Sequence, residues 1–184
     1  KKHWRASGRT VLVPLCGKTV DLVWLAAQGN RVVGVELSQI AVEAFFAEQQ
    51  LDFKVSDGAL RRFDAVGADI TIHCGDLMKL EDVRCDAHYD RGALVALTAD
   101  LRPGYAAHVR SLLTDDAEQL VITLGYDQSV AKGPPFSISD DEVQGYWPGL
   151  EPVDRYDDTP NAPPKFLEAG LTEIIETVWR SAGD

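Results

Sequence analysis

The sequence predicts an α/β fold, a largely parallel sheet with helices on both faces, and three consecutive stretches predict it. Val11–Cys16 is an apolar, strand-like run that ends in the turn Leu15-Cys16-Gly17-Lys18. Thr19–Ala27 follows, with Val20, Val23, Trp24 and Ala27 recurring at helical spacing. Arg31–Glu36 is a second, nearly all-apolar run, as a strand buried on both faces should be, and it stops on an acid. Strand, turn, helix and strand make a βαβ unit of the nucleotide-binding kind. Glu36 then lies at the carboxyl end of the second strand, where a carboxylate can accept from two ribose hydroxyls.

The remaining elements extend this alternation. Gly29 sits where a helix C-terminal cap is expected, and Ser38 is an N-cap for a helix over Ile40–Gln49. Residues 52–69 mix Asp, Gly and Arg and read as a loop or short hairpin. Ile70–Cys74 reads as a strand closed by Gly75-Asp76, and Asp86–Asp90 as a short strand left by Arg91-Gly92-Ala93-Leu94. Pro103–Leu113 is helical in pattern, Asp115-Asp116 reads as solvated loop, and Gln119–Leu124 as a strand. Gly133-Pro134-Pro135-Phe136 is a rigid loop, and Ser139 caps a short helix over Asp140–Tyr146. Val153–Tyr156 and Leu171–Trp179 are the last two strands, an antiparallel pair joined through Asp157–Pro164. No repeat and no second-domain linker interrupts the series, so residues 1–184 read as one domain.

Composition narrows the function classes. A chain of 184 residues with 45% hydrophobic and 26% charged residues is a soluble globular balance. A net charge of -11 repels phosphate backbones and disfavours a nucleic-acid substrate. Three cysteines, Cys16, Cys74 and Cys85, form no disulfide framework and suit a reducing, cytoplasmic setting. No apolar run approaches the ~20 residues of a membrane span.

The turn after the first strand discriminates among cofactors. It is not GxGxxG, since Gly17 is its one glycine, with Pro14, Cys16 and Lys18 around it. A dinucleotide needs several glycines for close backbone approach to a pyrophosphate. An adenosine cofactor without a pyrophosphate fits better, and S-adenosylmethionine is the leading choice.

Ligands in such sheets bind outside the carboxyl ends of the strands, so the residues there are the site candidates. Glu36 reads as the ribose acceptor in preference to a solvated acid at a helix start. Asp76 accepts from an adenine amino group or merely closes a turn. Asp90 and Arg91 point to opposite strand faces, so one of them faces the cleft. Arg91 can fork onto a carboxylate or an anionic substrate. Gly133–Phe136 walls an aromatic substrate or is simply rigid. Cys74, Asp76, Cys85 and His88 match no familiar zinc spacing, and no metal is expected. Cys16 has no histidine neighbour in sequence, and small buried packing suits it.

Five blocks then carry a resemblance. They are Leu15-Cys16-Gly17-Lys18, Val33-Gly34-Val35-Glu36-Leu37-Ser38, Tyr89-Asp90-Arg91-Gly92-Ala93-Leu94, Tyr126-Asp127 and Gly133-Pro134-Pro135-Phe136. In order and spacing they resemble those of thiopurine S-methyltransferases, especially the bacterial type, over Val11 to Trp179. The resemblance implies a Rossmann-like class I methyltransferase sandwich: a seven-stranded, mostly parallel sheet in the order 3-2-1-4-5-7-6, with strand 7 antiparallel. It implies cofactor contacts from Leu15, Gly17, Glu36 and Arg91, with Asp76 and Leu77 on the adenine side. It implies an acceptor pocket lined by Pro134, Pro135 and Phe136, with Lys165 where the family usually has arginine, and Leu167 where bacterial relatives have a second one. Relatives begin with a tryptophan-bearing segment that closes over cofactor and acceptor. Here Trp4 lies too near the first strand to belong to it, so that lid is expected to be missing from this sequence.

The implied reaction moves a methyl group from S-adenosylmethionine, leaving S-adenosylhomocysteine, to a small-molecule thiol. The acceptor is an aromatic or heterocyclic thiol, or a selenium or tellurium compound. Arg91 would favour an anionic acceptor electrostatically, and Asp90 is a possible proton acceptor. A cytoplasmic monomer is expected. The alternatives are a catalytically impaired S-adenosylmethionine-binding module and another nucleotide-binding α/β enzyme such as a dehydrogenase.

Overall fold

A computed structural model describes residues 2–181 of the chain. Its strands and helices, in order, are β1 (Thr10–Val13), α1 (Asp21–Ala27), β2 (Arg31–Glu36), α2 (Gln39–Glu48), β3 (Phe53–Ser56), β4 (Arg61–Ala65), β5 (Ile70–Cys74) and β6 (Cys85–Asp90). Then come α3 (Arg102–Ser111), β7 (Leu113–Gly125), α4 (Asp140–Tyr146), β8 (Leu150–Asp157), α5 (Pro164–Glu168) and β9 (Ile175–Ser181). The chain divides into two compact units. The first is Arg5–Tyr89 with His108–Glu118; the second is Asp90–Ala107 with residues 2–4 and 119–181.

In the first unit the strands lie in the order β3-β4-β5-β2-β1-β6. β5, β2, β1 and β6 run parallel, which is the expected 3-2-1-4. β3 and β4 extend the sheet as an antiparallel hairpin beyond β5. The stretch 52–69 is thus a hairpin, and the described residues hold nine strands where seven were expected. Aromatic packing explains it. Phe63 on β4 is 1% exposed, and its ring lies 5.4 Å from Phe53 on β3 and 6.4 Å from Phe46 on α2. That cluster gives a four-residue edge strand something to pack on.

α1 starts at Asp21 rather than Thr19. Leu22 and Leu25, rather than Val20 and Ala27, face the core; Val20 is 57% exposed. Gly29, with φ 83°, follows the end of this helix in the left-handed conformation. The Ser38 side chain caps α2 by accepting from Ala41 N at 3.3 Å.

The second unit pairs β7 with β9 and β9 with β8, all antiparallel, which is the expected 5-7-6. β7 begins at Leu113, well before Gln119, so Asp115 and Asp116 are strand residues. They are exposed while Leu113 and Ala117 are buried, and a strand tolerates acids on its wet positions. Trp179 on β9 is 1% exposed and donates its indole N–H to Thr123 Oγ1 on β7 at 2.9 Å. The link after β8 holds a short helix, α5, which starts at Pro164. Phe166 on α5 packs with Ala131, Ala162, Leu171 and Ile174. Among the described residues no helix is long and apolar enough to cross a membrane.

One glycine of β2 is set by close packing. A Cβ on Gly34 would stand 2.9 Å from Cys16 Sγ and 3.4 Å from Ile72 Cγ1. Cys16 cannot retreat, because it is buried and its N–H donates to Val35 O at 2.9 Å. Gly34→Ala is therefore expected to cost about 1–3 kcal/mol in urea unfolding, and the double variant with Cys16→Ala to cost distinctly less.

Candidate active site

In the first unit, three adjacent strand ends bring Leu15, Gly17, Glu36, Asp76 and Leu77 to one edge of the sheet. The turn after β1 is built on two left-handed residues, Leu15 (φ 46°) and Gly17 (φ 52°), on either side of Cys16. Glycine adopts this conformation freely; leucine does so at a cost of roughly 1–2 kcal/mol. A Cβ on Gly17 would meet nothing within 4 Å, so the angle and not the room selects glycine there.

The turn and the Glu36 carboxylate hold one another. Gly17 N donates to Glu36 Oε2 at 2.9 Å, and Ser38 N donates to Oε1 at 2.8 Å. Each oxygen carries one of these backbone bonds, and a carboxylate offers about four acceptor positions in all. Capacity for two hydroxyls of a vicinal diol therefore remains, one per oxygen. This pair of acceptors fits the ribose of an adenosine cofactor. Gly75 N donates to Glu36 O at 2.9 Å, which ties the end of β5 beside it. Asp76 is exposed and caps the single 3-10 turn Leu77–Lys79, accepting from Met78 N at 3.0 Å through Oδ1. Leu77 is buried.

The cysteines are not nucleophiles in waiting. Burial, then the nearby Glu36 charge, pushes the Cys16 thiol far up. Burial raises Cys85 to about 12. Among the described residues no group of three or more His, Cys, Asp and Glu side chains is arranged to hold a metal.

The second unit carries Asp90, Arg91, Pro134, Pro135, Phe136 and Lys165. Asp90 is 0% exposed. It accepts from Gly92 N at 3.3 Å, Ala93 N at 3.0 Å, Leu94 N at 3.2 Å and the Tyr105 hydroxyl at 2.6 Å. A carboxylate so committed holds the chain after β6. Arg91, next to it, is exposed. Its charge opposes the burial that raises the Glu176 carboxyl, to which the Tyr156 hydroxyl also donates.

The Gly133–Phe136 loop has cis bonds at Gly133-Pro134 and Pro134-Pro135. Its carbonyls are pinned from two sides: Lys165 Nζ donates to Pro134 O at 2.7 Å and the Tyr126 hydroxyl to Pro135 O at 2.6 Å. Phe136 N donates to Val95 O at 2.6 Å. Tyr126 also lines a cleft of about 460 Å³, with Asp127, Val130, Ile138, Asp140 and Arg155 among its walls.

The sequence model of the family described as thiopurine S-methyltransferase (TPMT) matches residues 1–184. The chain belongs to the thiopurine S-methyltransferase family. The enzymes of this family are S-adenosylmethionine-dependent methyltransferases. The thiopurine S-methyltransferase of Bordetella petrii is 49% identical over 189 residues, covering 97% of this chain and 85% of that protein. That of Pseudomonas putida is 44% identical over 184 residues, covering 95% and 82%. Among solved structures, the 1,6-didemethyltoxoflavin-N1-methyltransferase of Burkholderia thailandensis superposes with a TM-score of 0.60 at 19% identity, covering 96% of this chain and 72% of that one. That likeness places this member of the family in the Rossmann-like methyltransferase fold.

Behind Phe136 lies a cluster that the family motifs do not reveal. Arg102 is 3% exposed and stands 5.6 Å from the Phe136 ring centroid. Its Nη1 bonds both oxygens of Glu142, at 2.9 and 3.0 Å, and its Nε donates to Leu97 O at 2.9 Å. The Tyr146 hydroxyl donates to Glu142 at 2.8 Å, and burial with this bond raises that phenol to about 12. Arg102 and Glu142 are 40 positions apart, beyond the reach of any local spacing rule.

Proposed function

We propose that this chain transfers a methyl group from S-adenosylmethionine to a small-molecule thiol, aromatic or heterocyclic, or to a selenium or tellurium compound. The Glu36 carboxylate, oriented by a backbone donor on each oxygen, is the observation that carries the cofactor half of this reading. Glu36 holds the ribose, Leu15 and Gly17 form the turn beneath it, and Asp76 and Leu77 serve the adenine. Arg91 forks onto a carboxylate, that of the methionine moiety or of an anionic acceptor. Pro134, Pro135 and Phe136 wall the acceptor, on a loop held by the Tyr126 and Lys165 bonds to its carbonyls. Lys165, bonded to Pro134 O, keeps a positive charge at that wall and favours a thiolate.

When bound, S-adenosylmethionine supplies an already activated methyl group. What remains for the protein is placement, and the rigid loop and strand-end residues serve that end. An aromatic thiol ionises near neutral pH, so no strong protein base is required. Asp90 accordingly holds the turn that displays Arg91. The three cysteines, none of them in a disulfide, accord with work in the cytoplasm, and we take the chain to act as a monomer.

The test is calorimetric titration with S-adenosylhomocysteine, followed by an assay of methyl transfer to aromatic thiols, selenite and tellurite. Binding at about micromolar Kd, undisturbed by NAD, together with turnover of one acceptor is the expected result. Displacement by NAD would overturn the cofactor assignment. Binding without turnover of any acceptor would favour a binding module.

A further inference from the structure

We propose that Tyr105 is a positioning residue for the methyl-transfer reaction, acting through Asp90 to fix where Arg91 is displayed. This rests on the role given to Arg91 above. The chain turns sharply after β6. Gly92 has φ 145°, and a Cβ there would meet nothing within 4 Å. Three successive backbone N–H groups, those of Gly92, Ala93 and Leu94, converge on the Asp90 carboxylate. Arg91 is therefore carried between Asp90 and three residues that are all fastened to the Asp90 side chain.

That side chain is in turn held at one point from outside the loop. The Tyr105 hydroxyl on α3 donates to Asp90 Oδ2 at 2.6 Å, the shortest of these bonds. Tyr105 is 3% exposed, and burial with the adjacent Asp90 charge keeps its phenol protonated, so it remains a donor throughout the working pH range. The other bonds to Asp90 named here come from the loop itself and travel with it. The Tyr105 bond refers the loop to a helix, and a charge-assisted bond of this kind fixes direction as well as distance. Ala93 and Leu94 are buried and keep the far side of the loop in place, so loss of the hydroxyl frees chiefly the Asp90 carboxylate at the end of β6, and Arg91, next to it and exposed, shifts with it.

The experiment is a double-mutant cycle on S-adenosylhomocysteine affinity, using Tyr105→Phe and Arg91→Ala in the full chain. Tyr105→Phe is expected to raise Kd about tenfold with Arg91 present, and by less than about twofold in the Arg91→Ala background. Amide exchange at Ala93 and Leu94 reports the loop directly and should change little, because those bonds to Asp90 persist. Equal losses in both backgrounds would make Tyr105 a general structural residue and overturn the proposal. A large effect of Arg91→Ala with none of Tyr105→Phe would overturn it while leaving the Arg91 role intact. No effect of Arg91→Ala would remove the Arg91 role itself and the proposal with it. If Tyr105→Phe does not fold, Asp90→Asn takes its place in the cycle, with the same dependence on Arg91 expected.

Discussion

Glu36→Ala is expected to weaken S-adenosylhomocysteine binding by about 1–3 kcal/mol, roughly tenfold to a hundredfold in Kd. The carboxylate supplies two acceptors at the spacing of a vicinal diol, and both are aimed by the backbone before any ligand arrives. Removing it leaves two ribose hydroxyls facing the gap and also releases Gly17 N and Ser38 N. Those two groups lie at a partly exposed edge, where water can replace the lost bonds, so thermal unfolding should move far less than affinity. Glutamine is not a neutral replacement. Its amide nitrogen would face either Gly17 N or Ser38 N, donor against donor. Calorimetric titration with a parallel thermal melt separates the two effects. Unchanged affinity in a folded Glu36→Ala protein would take Glu36 off the ribose.

Asp90→Ala is expected to destabilise the fold by about 3–5 kcal/mol in urea unfolding, the largest stability loss at any of the site residues. Its carboxylate is fully buried and satisfies three backbone N–H groups and one phenol, which would lose their acceptor together. The neighbouring substitution separates structure from chemistry. Arg91 is exposed, so Arg91→Ala should unfold like the parent while turnover falls. A loss below about 1 kcal/mol for Asp90→Ala would show that water enters the turn and takes over its donors.

The parts of this molecule that repeat a local rule were legible in its sequence. Apolar runs gave β1, β2 and β5, the acid was read correctly as the end of β2, and Ser38 and Ser139 marked helix starts. What escaped depends on contacts distant in the chain. The β3–β4 hairpin has strands of four and five residues, and it is organised by Phe46 and Phe63 rather than by its own alternation. β7 begins early, and it was missed because the two consecutive exposed acids between buried Leu113 and Ala117, read locally, look like loop. The α1 face was misassigned because Val20 looks apolar enough to be core, whereas Leu22 and Leu25 occupy the inward positions. Arg102 and Glu142 form a buried pair across 40 positions, which no window of sequence exposes.

At Leu15 the backbone is held against the residue's own preference. A residue with a Cβ held at φ 46° gives up roughly 1–2 kcal/mol that glycine would keep in part. A chain optimised for persistence alone would drift toward glycine or asparagine at this position. Retaining leucine makes sense if its side chain is worth more to the bound state than its backbone costs the free one. Screens that select variants for heat resistance should therefore enrich replacements at position 15, and those same variants should be among the poorest at turnover.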